Sequence, residues 1–159
     1  MYQAELGFYG VWESHREYFA TQAHTVVLET IAQATKNIKI SSASSITSTS
    51  DPIRVFGDFA TIELISNGHA KIIAGRASRV GMFELFGYDV RYYEELYEKK
   101  LDLLLQINDQ ETVNWSGRFR APLRDAQVIP RPQTSLLPIW RAMGGIRKVP
   151  SKQGMRICR

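Results

Sequence analysis

The stretch from Ile38 to Arg76, IKISSASSITSTSDPIRVFGDFATIELISNGHAKIIAGR, constrains the fold more than any other. Ile38, Ile40 and Ala43 open it as a β-prone run that ends among serines and threonines. Asp51 then stands where a helix N-cap belongs. Pro52 follows at the first helical position, where its missing N–H costs nothing. Val55, Phe56, Phe59, Ile62 and Leu64 recur at spacings of three and four with irregular steps between, as on a core-facing helix. Asn67-Gly68 tolerates the left-handed backbone that closes such a helix, and His69–Ala74 is a second apolar run ending in Gly75-Arg76. Strand, helix, strand over this length predicts a βαβ unit with parallel strands.

The flanking segments extend the alternation. Tyr2–Phe8 reads as the end of a helix, Gly10–Glu13 as a strand, Ser14–Ala23 as a polar loop and His24–Thr35 as a helix. Ala77–Tyr88 reads as a loop, and Arg91–Asn108 as a long helix carrying Glu95–Lys99 as an i,i+4 pair. Thr112–Trp115 and Arg118–Val128 form a β excursion, and Pro138–Met143 is the last strand, ended by Gly144-Gly145. The class is α/β, with strands separated by single helices as in a consecutively wound barrel. Val11, Ile40, Ile72, Ala74 and Ile139 are expected on the inward face of that barrel.

A length of 159 residues is one domain's worth, and no apolar run nears the ~20 residues needed to span a bilayer. The N-terminus lacks a secretory pattern and Cys158 is the only cysteine, so a cytoplasmic protein without a cysteine metal site is expected. The net charge of +4 belongs to the tail. Six basic and no acidic residues lie from Arg141 onward, against 14 basic and 16 acidic before it. The slightly acidic body argues against a nucleic-acid-binding module; a basic tail can touch phosphate backbones without sequence preference, but this one holds no aromatic stacking partners.

Function in such barrels collects at the C-terminal strand ends. The candidates there are Glu13-Ser14-His15, Ala43-Ser44-Ser45 and Gly75-Arg76. An arginine behind a glycine suits a phosphate or carboxylate, while a surface ion pair is the plainer reading. His15 has the chemistry of a general acid/base, although a lone loop histidine is more often merely solvated. His24 and His69 are assigned no role. No His/Asp/Glu spacing suggests a metal, and no glycine-rich phosphate loop is present.

The run DPIRVFGDFATIELISNGHAKIIAGRAS, followed by ELFGYD, LYEKKLDLLL, WSGRFR, VIPRPQ and LPIWRAMGG, resembles the bacterial luciferase-like, flavin-dependent monooxygenases. The likeness covers Phe8 to Gly145, in the family's order and spacing. It implies part of a (β/α)8 TIM barrel, about half of one, comprising strands two to five with a β-hairpin before the last. It implies an enzyme that uses reduced FMN, supplied by a separate flavin reductase, and oxygen to oxygenate a small organic substrate. Half a barrel leaves open strand edges and exposed apolar faces, so a homo-oligomer, a half-barrel dimer or a larger aggregate, is expected. By the same resemblance Arg76 holds the flavin phosphate together with groups after Gly144 and Gly145. Ala43 and Ser44 form a bend against the flavin ring, often with a non-proline cis peptide. His15 matches the second histidine of the family's Glu-His-His, and Ser14 replaces the first. Residues 1–145 make the domain; residues 146–159 are a basic irregular tail that fits nothing in the family and has the character of a changed reading frame. Two alternatives stay open: a poorly active fragment of such an enzyme, and a non-catalytic domain that binds flavin or a partner.

Overall fold

The computed structural model describes residues 7–78 and 80–142. The chain runs β1 (Phe8–Trp12), α1 (His24–Ala34), β2 (Lys39–Ile46), α2 (Pro52–Ile65), β3 (Ala70–Gly75), α3 (Gly81–Leu85), α4 (Tyr93–Asp109), β4 (Thr112–Trp115), β5 (Leu123–Gln127) and β6 (Ile139–Arg141). A 3-10 turn, Val90–Tyr92, leads into α4. β1, β2, β3 and β6 form one parallel sheet in that order, and β4 and β5 pair antiparallel as a separate hairpin. Neighbours in the sheet are successive in the chain once the hairpin is set aside. This is the winding expected of a partial barrel.

The expected βαβ unit is present with its punctuation. Asp51 caps α2 by accepting from the Ile53 N–H at 2.9 Å, and Pro52 is the first helical residue. Asn67 and Gly68 leave the helix with φ of 55° and 89°. Three local expectations differ. Phe8 opens β1 rather than closing a helix; the rest of Tyr2–Phe8 lies outside the described residues apart from Gly7. The loop Ala77–Tyr88 contains α3, which buries Met82 and Phe83 against Ile46, Ala77 and Leu96. Glu95 does not pair with Lys99 but reaches Arg118, 3.1 Å away on the hairpin connection.

The core lies between the sheet and its helices. Leu28 and Ala32 of α1, Phe56, Phe59 and Ile62 of α2, and Tyr97, Leu101 and Leu104 of α4 pack on one face of the sheet. Val11, Ile40, Ile72, Ala74 and Ile139 belong to this same cluster. They therefore face the helices, and the expectation that they line the inward face is corrected. By alternation and register, Lys71, Ile73 and Trp140 share the opposite face, with Trp140 largely exposed.

Candidate active site

The parallel ladder brings the C-terminal ends of β1, β2 and β3 side by side, and the sequence places unusual residues at each. At the end of β1 the Glu13 N–H donates to the Ser44 carbonyl at 3.1 Å, locking the turn-out of β1 to β2. The Glu13 carboxylate is buried. Its Oε2 accepts from the Ile46 N–H at 2.7 Å, and its Oε1 lies 3.0 Å from His15 Nε2. His15 also stands edge-on to Phe86, with ring centroids 4.9 Å apart. The side chain has a carboxylate and an aromatic wall to orient it, and it is not merely solvated.

β2 is interrupted where the bend was expected. Its pairing with β1 steps from Val11↔Ser42 to Trp12↔Ser44, and its pairing with β3 from Ser41↔Lys71 to Ser45↔Ala74. Both neighbours thus skip a residue around Ala43, which makes a β-bulge. Ser42 fills the broken ladder: its Oγ accepts from the Ile73 N–H at 2.9 Å and donates to the Ile73 carbonyl at 3.3 Å. Ser44 is aimed at β3, where Gly75 makes room. A Cβ on Gly75 would come within 1.9 Å of Ser44 Oγ. Among the described residues the cis peptide is Ile129–Pro130, and the bond between Ala43 and Ser44 is not cis.

Arg76 leaves β3 immediately after Gly75. Its Nη1 is 2.9 Å from the Glu94 carboxylate, its Nη2 is 3.5 Å from Glu98, and its guanidinium lies 4.7 Å from the ring centre of Tyr97. Glu98 is also paired with Arg141. The arginine is therefore in an ion pair, as its plainer reading had it, but at a strand end and with part of its side chain open to solvent. Gly144 and Gly145 lie outside the described residues.

One residue that sequence reasoning left without a role joins the site. His24, the first residue of α1, is buried, with Nε2 2.8 Å from Ser45 Oγ and Nδ1 3.9 Å from Glu13 Oε2. Burial pushes its pKa below the ordinary histidine value; Glu13 opposes that shift and His15 adds to it. No local signal marks His24, because the hydroxyl it meets is 21 residues away. A small pocket of about 140 Å3, bounded by Glu13, His24, Ser45, Arg54, Asp58 and Phe59, reaches this histidine between α1 and α2. A larger open groove of about 520 Å3 lies on the helical flank beside Arg120 and Pro130 and touches none of the strand-end residues. The chemistry, not the volume, identifies the site.

Arg76, the Ser44–Gly75 contact and the Glu13–His15–His24–Ser45 cluster thus share one edge of the sheet. No helix among the described residues is long and apolar enough to cross a membrane. A family model for the luciferase-like monooxygenases matches residues 3–150. Among solved structures, the chain is similar to monooxygenase RslO1 from Streptomyces bottropensis, with a TM-score of 0.76 and 20% identity over 83% of this chain and 41% of that one. It is similar to the oxygenating constituent of 3,6-diketocamphane monooxygenase from Pseudomonas putida, a type II Baeyer-Villiger monooxygenase in complex with FMN. That match has a TM-score of 0.73 and 15% identity over 86% of this chain and 41% of that one. A third is the coenzyme F420-dependent tetrahydromethanopterin reductase from Methanopyrus kandleri, with a TM-score of 0.66 and 19% identity over 87% and 42%. At these identities the likeness is one of fold, and the chain spans about two fifths of the length of each structure. No curated protein matches the chain. The match of the family model across nearly all of its length assigns the chain to the luciferase-like monooxygenase family.

Proposed function

We propose that this chain carries the flavin-binding strand ends of an FMN-dependent monooxygenase that oxygenates a small organic substrate, its reduced flavin coming from a separate reductase. The observation that carries the reading is the convergence of Arg76 with the Glu13–His15 pair on the C-terminal edge of one parallel sheet. The diketocamphane enzyme of the same fold, solved with FMN, supports the choice of cofactor.

The residues present fit a flavin phosphate. Arg76 supplies a guanidinium whose partners Glu94 and Glu98 are about half exposed. Exposed ion pairs contribute only about 0–1 kcal/mol, so releasing the glutamates in favour of a phosphate costs little. Two buried hydroxyls in the segment leaving β2, on Ser48 and Thr49, have no hydrogen-bond partner among the described residues. Such orphaned donors suit a polyhydroxylated ligand. In the proposed assignment Arg76 holds the phosphate, Gly144 and Gly145 belong to the same phosphate site, and Ala43 and Ser44 lie against the ring at the bulge.

Reduced FMN, when bound, supplies the electrons and the oxygen activation. The chain's own residues bind, orient and exclude water. His15 is the imidazole placed to take or give a proton, and Glu13 fixes its ring through Nε2. Ser14 cannot titrate there, so acid–base work falls to His15 alone of that pair. Met82 and Phe83 pack on Ile46 and Ala77 just beyond the ends of β2 and β3 and keep that side dry.

The test is fluorescence titration of the 159-residue protein with FMN, followed by oxygen uptake with reduced FMN and aldehydes, ketones and small aromatics. FMN binding is expected, with little coupled product, because the sheet face bearing Trp140 is open to water. Absence of FMN binding would overturn the reading. A second reading, a deazaflavin-dependent reductase, is supported by the F420-dependent neighbour; binding of F420 in preference to FMN would favour it.

A further inference from the structure

We propose that His24 is a positioning residue which, as its neutral Nδ1–H tautomer, ties the Glu13–His15 pair to the bulge of β2. The inference rests on the reading that these two features form one flavin site. Its warrant is geometric. His24 stands between the two, with Nε2 2.8 Å from Ser45 Oγ and Nδ1 3.9 Å from Glu13 Oε2, an electrostatic rather than a hydrogen-bonding distance. A carboxylate is only an acceptor, so a proton on Nδ1 is favoured and a lone pair there is not. With Nδ1 protonated, Nε2 is left as an acceptor, and the Ser45 hydroxyl must donate to it. That orients Ser45 beside Ala43 and Ser44, while the Nδ1 dipole steadies the Glu13 oxygen that also accepts from Ile46.

The groups facing the imidazole are Glu13 at the end of β1, His15 in the following loop, Ser45 of β2, and Arg54, Asp58 and Phe59 of α2. Burial among them lowers the pKa of the ring and favours its neutral form, and the pocket that Glu13, Ser45 and α2 bound reaches it. Protonation would place a hydrogen on Nε2. Ser45 would then have to reverse from donor to acceptor, and the imidazolium would draw Glu13 Oε2 away from the Ile46 N–H, turning the carboxylate whose Oε1 holds His15. Acid therefore uncouples the pair from the bulge.

The test is long-range proton–nitrogen NMR on the full chain labelled with 15N-histidine, which has three histidines to assign. His24 is expected to show a protonated Nδ1 and an unprotonated Nε2 near neutral pH. In Glu13→Gln the Nε2–H tautomer should gain population, and the His24 titration should move further to acid, because Glu13 is the group that raises it. Ser45→Ala should leave the tautomer unchanged. A dominant Nε2–H tautomer in the unaltered protein would overturn the proposal, as would a folded Glu13→Gln protein with unchanged His24 signals. If Glu13→Gln fails to fold, the unaltered protein's tautomer decides alone. The measurement needs no flavin: loss of FMN binding with the Nδ1–H tautomer intact would sink the functional reading only.

Discussion

At the scale of single residues, the chain keeps ionisable groups where burial is costly, and Lys100 is the clearest case outside the candidate site. Its ammonium is buried in α4 without a hydrogen-bond partner among the described residues, 3.9 Å from the ring centre of Tyr88. Burial lowers its pKa from 10.5 to about 8, with Asp51 opposing the shift. A lowered lysine pKa means that the unfolded chain binds the proton more tightly than the folded one. Stability therefore rises as pH climbs from about 8 towards the ordinary lysine value, and the penalty is fully present below that window. The cation–π contact recovers part of the cost. Lys100→Met should raise the urea midpoint at neutral pH and abolish the alkaline rise. Loss of stability at every pH would show that the contact with Tyr88 outweighs the burial.

At the scale of elements, two carboxylates on α2 hold different parts of the fold. Asp51 caps its own helix, and Asp51→Ala should cost about 1 kcal/mol. Glu63 is buried, and its carboxylate accepts from the backbone N–H groups of Gln133 and Thr134 and from the Thr134 hydroxyl. Removing it leaves buried donors unpaired, so Glu63→Ala should cost about 3 kcal/mol by urea unfolding, clearly more than Asp51→Ala. Equal losses would contradict that division. Caps such as Asp51–Pro52 and the exit Asn67–Gly68 are legible in the sequence because they act on their own neighbours. Glu63 and His24 are not, since their partners stand 70 and 21 residues away. α3 is five residues long with no side-chain cap, too short for a periodic signal. Period-two alternation tells which strand residues share a face but not which face meets the helices. For that reason Val11, Ile40, Ile72, Ala74 and Ile139 were legible as a set, yet their direction was not.

At the scale of the molecule, the sheet has, among the described residues, open edges at β1 and at β6. Phe8, Tyr9 and Trp12 are exposed on the first and Trp140 on the second. Unpaired backbone groups beside exposed aromatics favour strand addition. The 159-residue protein should therefore self-associate as its concentration rises, as seen by light scattering, and Tyr9→Lys should weaken the association. A monomer at all concentrations would contradict this. The candidate site spans three of the four strands, so its geometry is set by the sheet rather than by that association. The central claim is that Arg76 anchors a flavin phosphate, and the most direct test compares FMN with riboflavin, which lacks that group. Arg76→Ala should weaken FMN binding by roughly ten- to a hundredfold, as expected for one lost hydrogen-bonded charge contact, and leave riboflavin much less affected. Equal losses for the two flavins in fluorescence titrations would contradict the account.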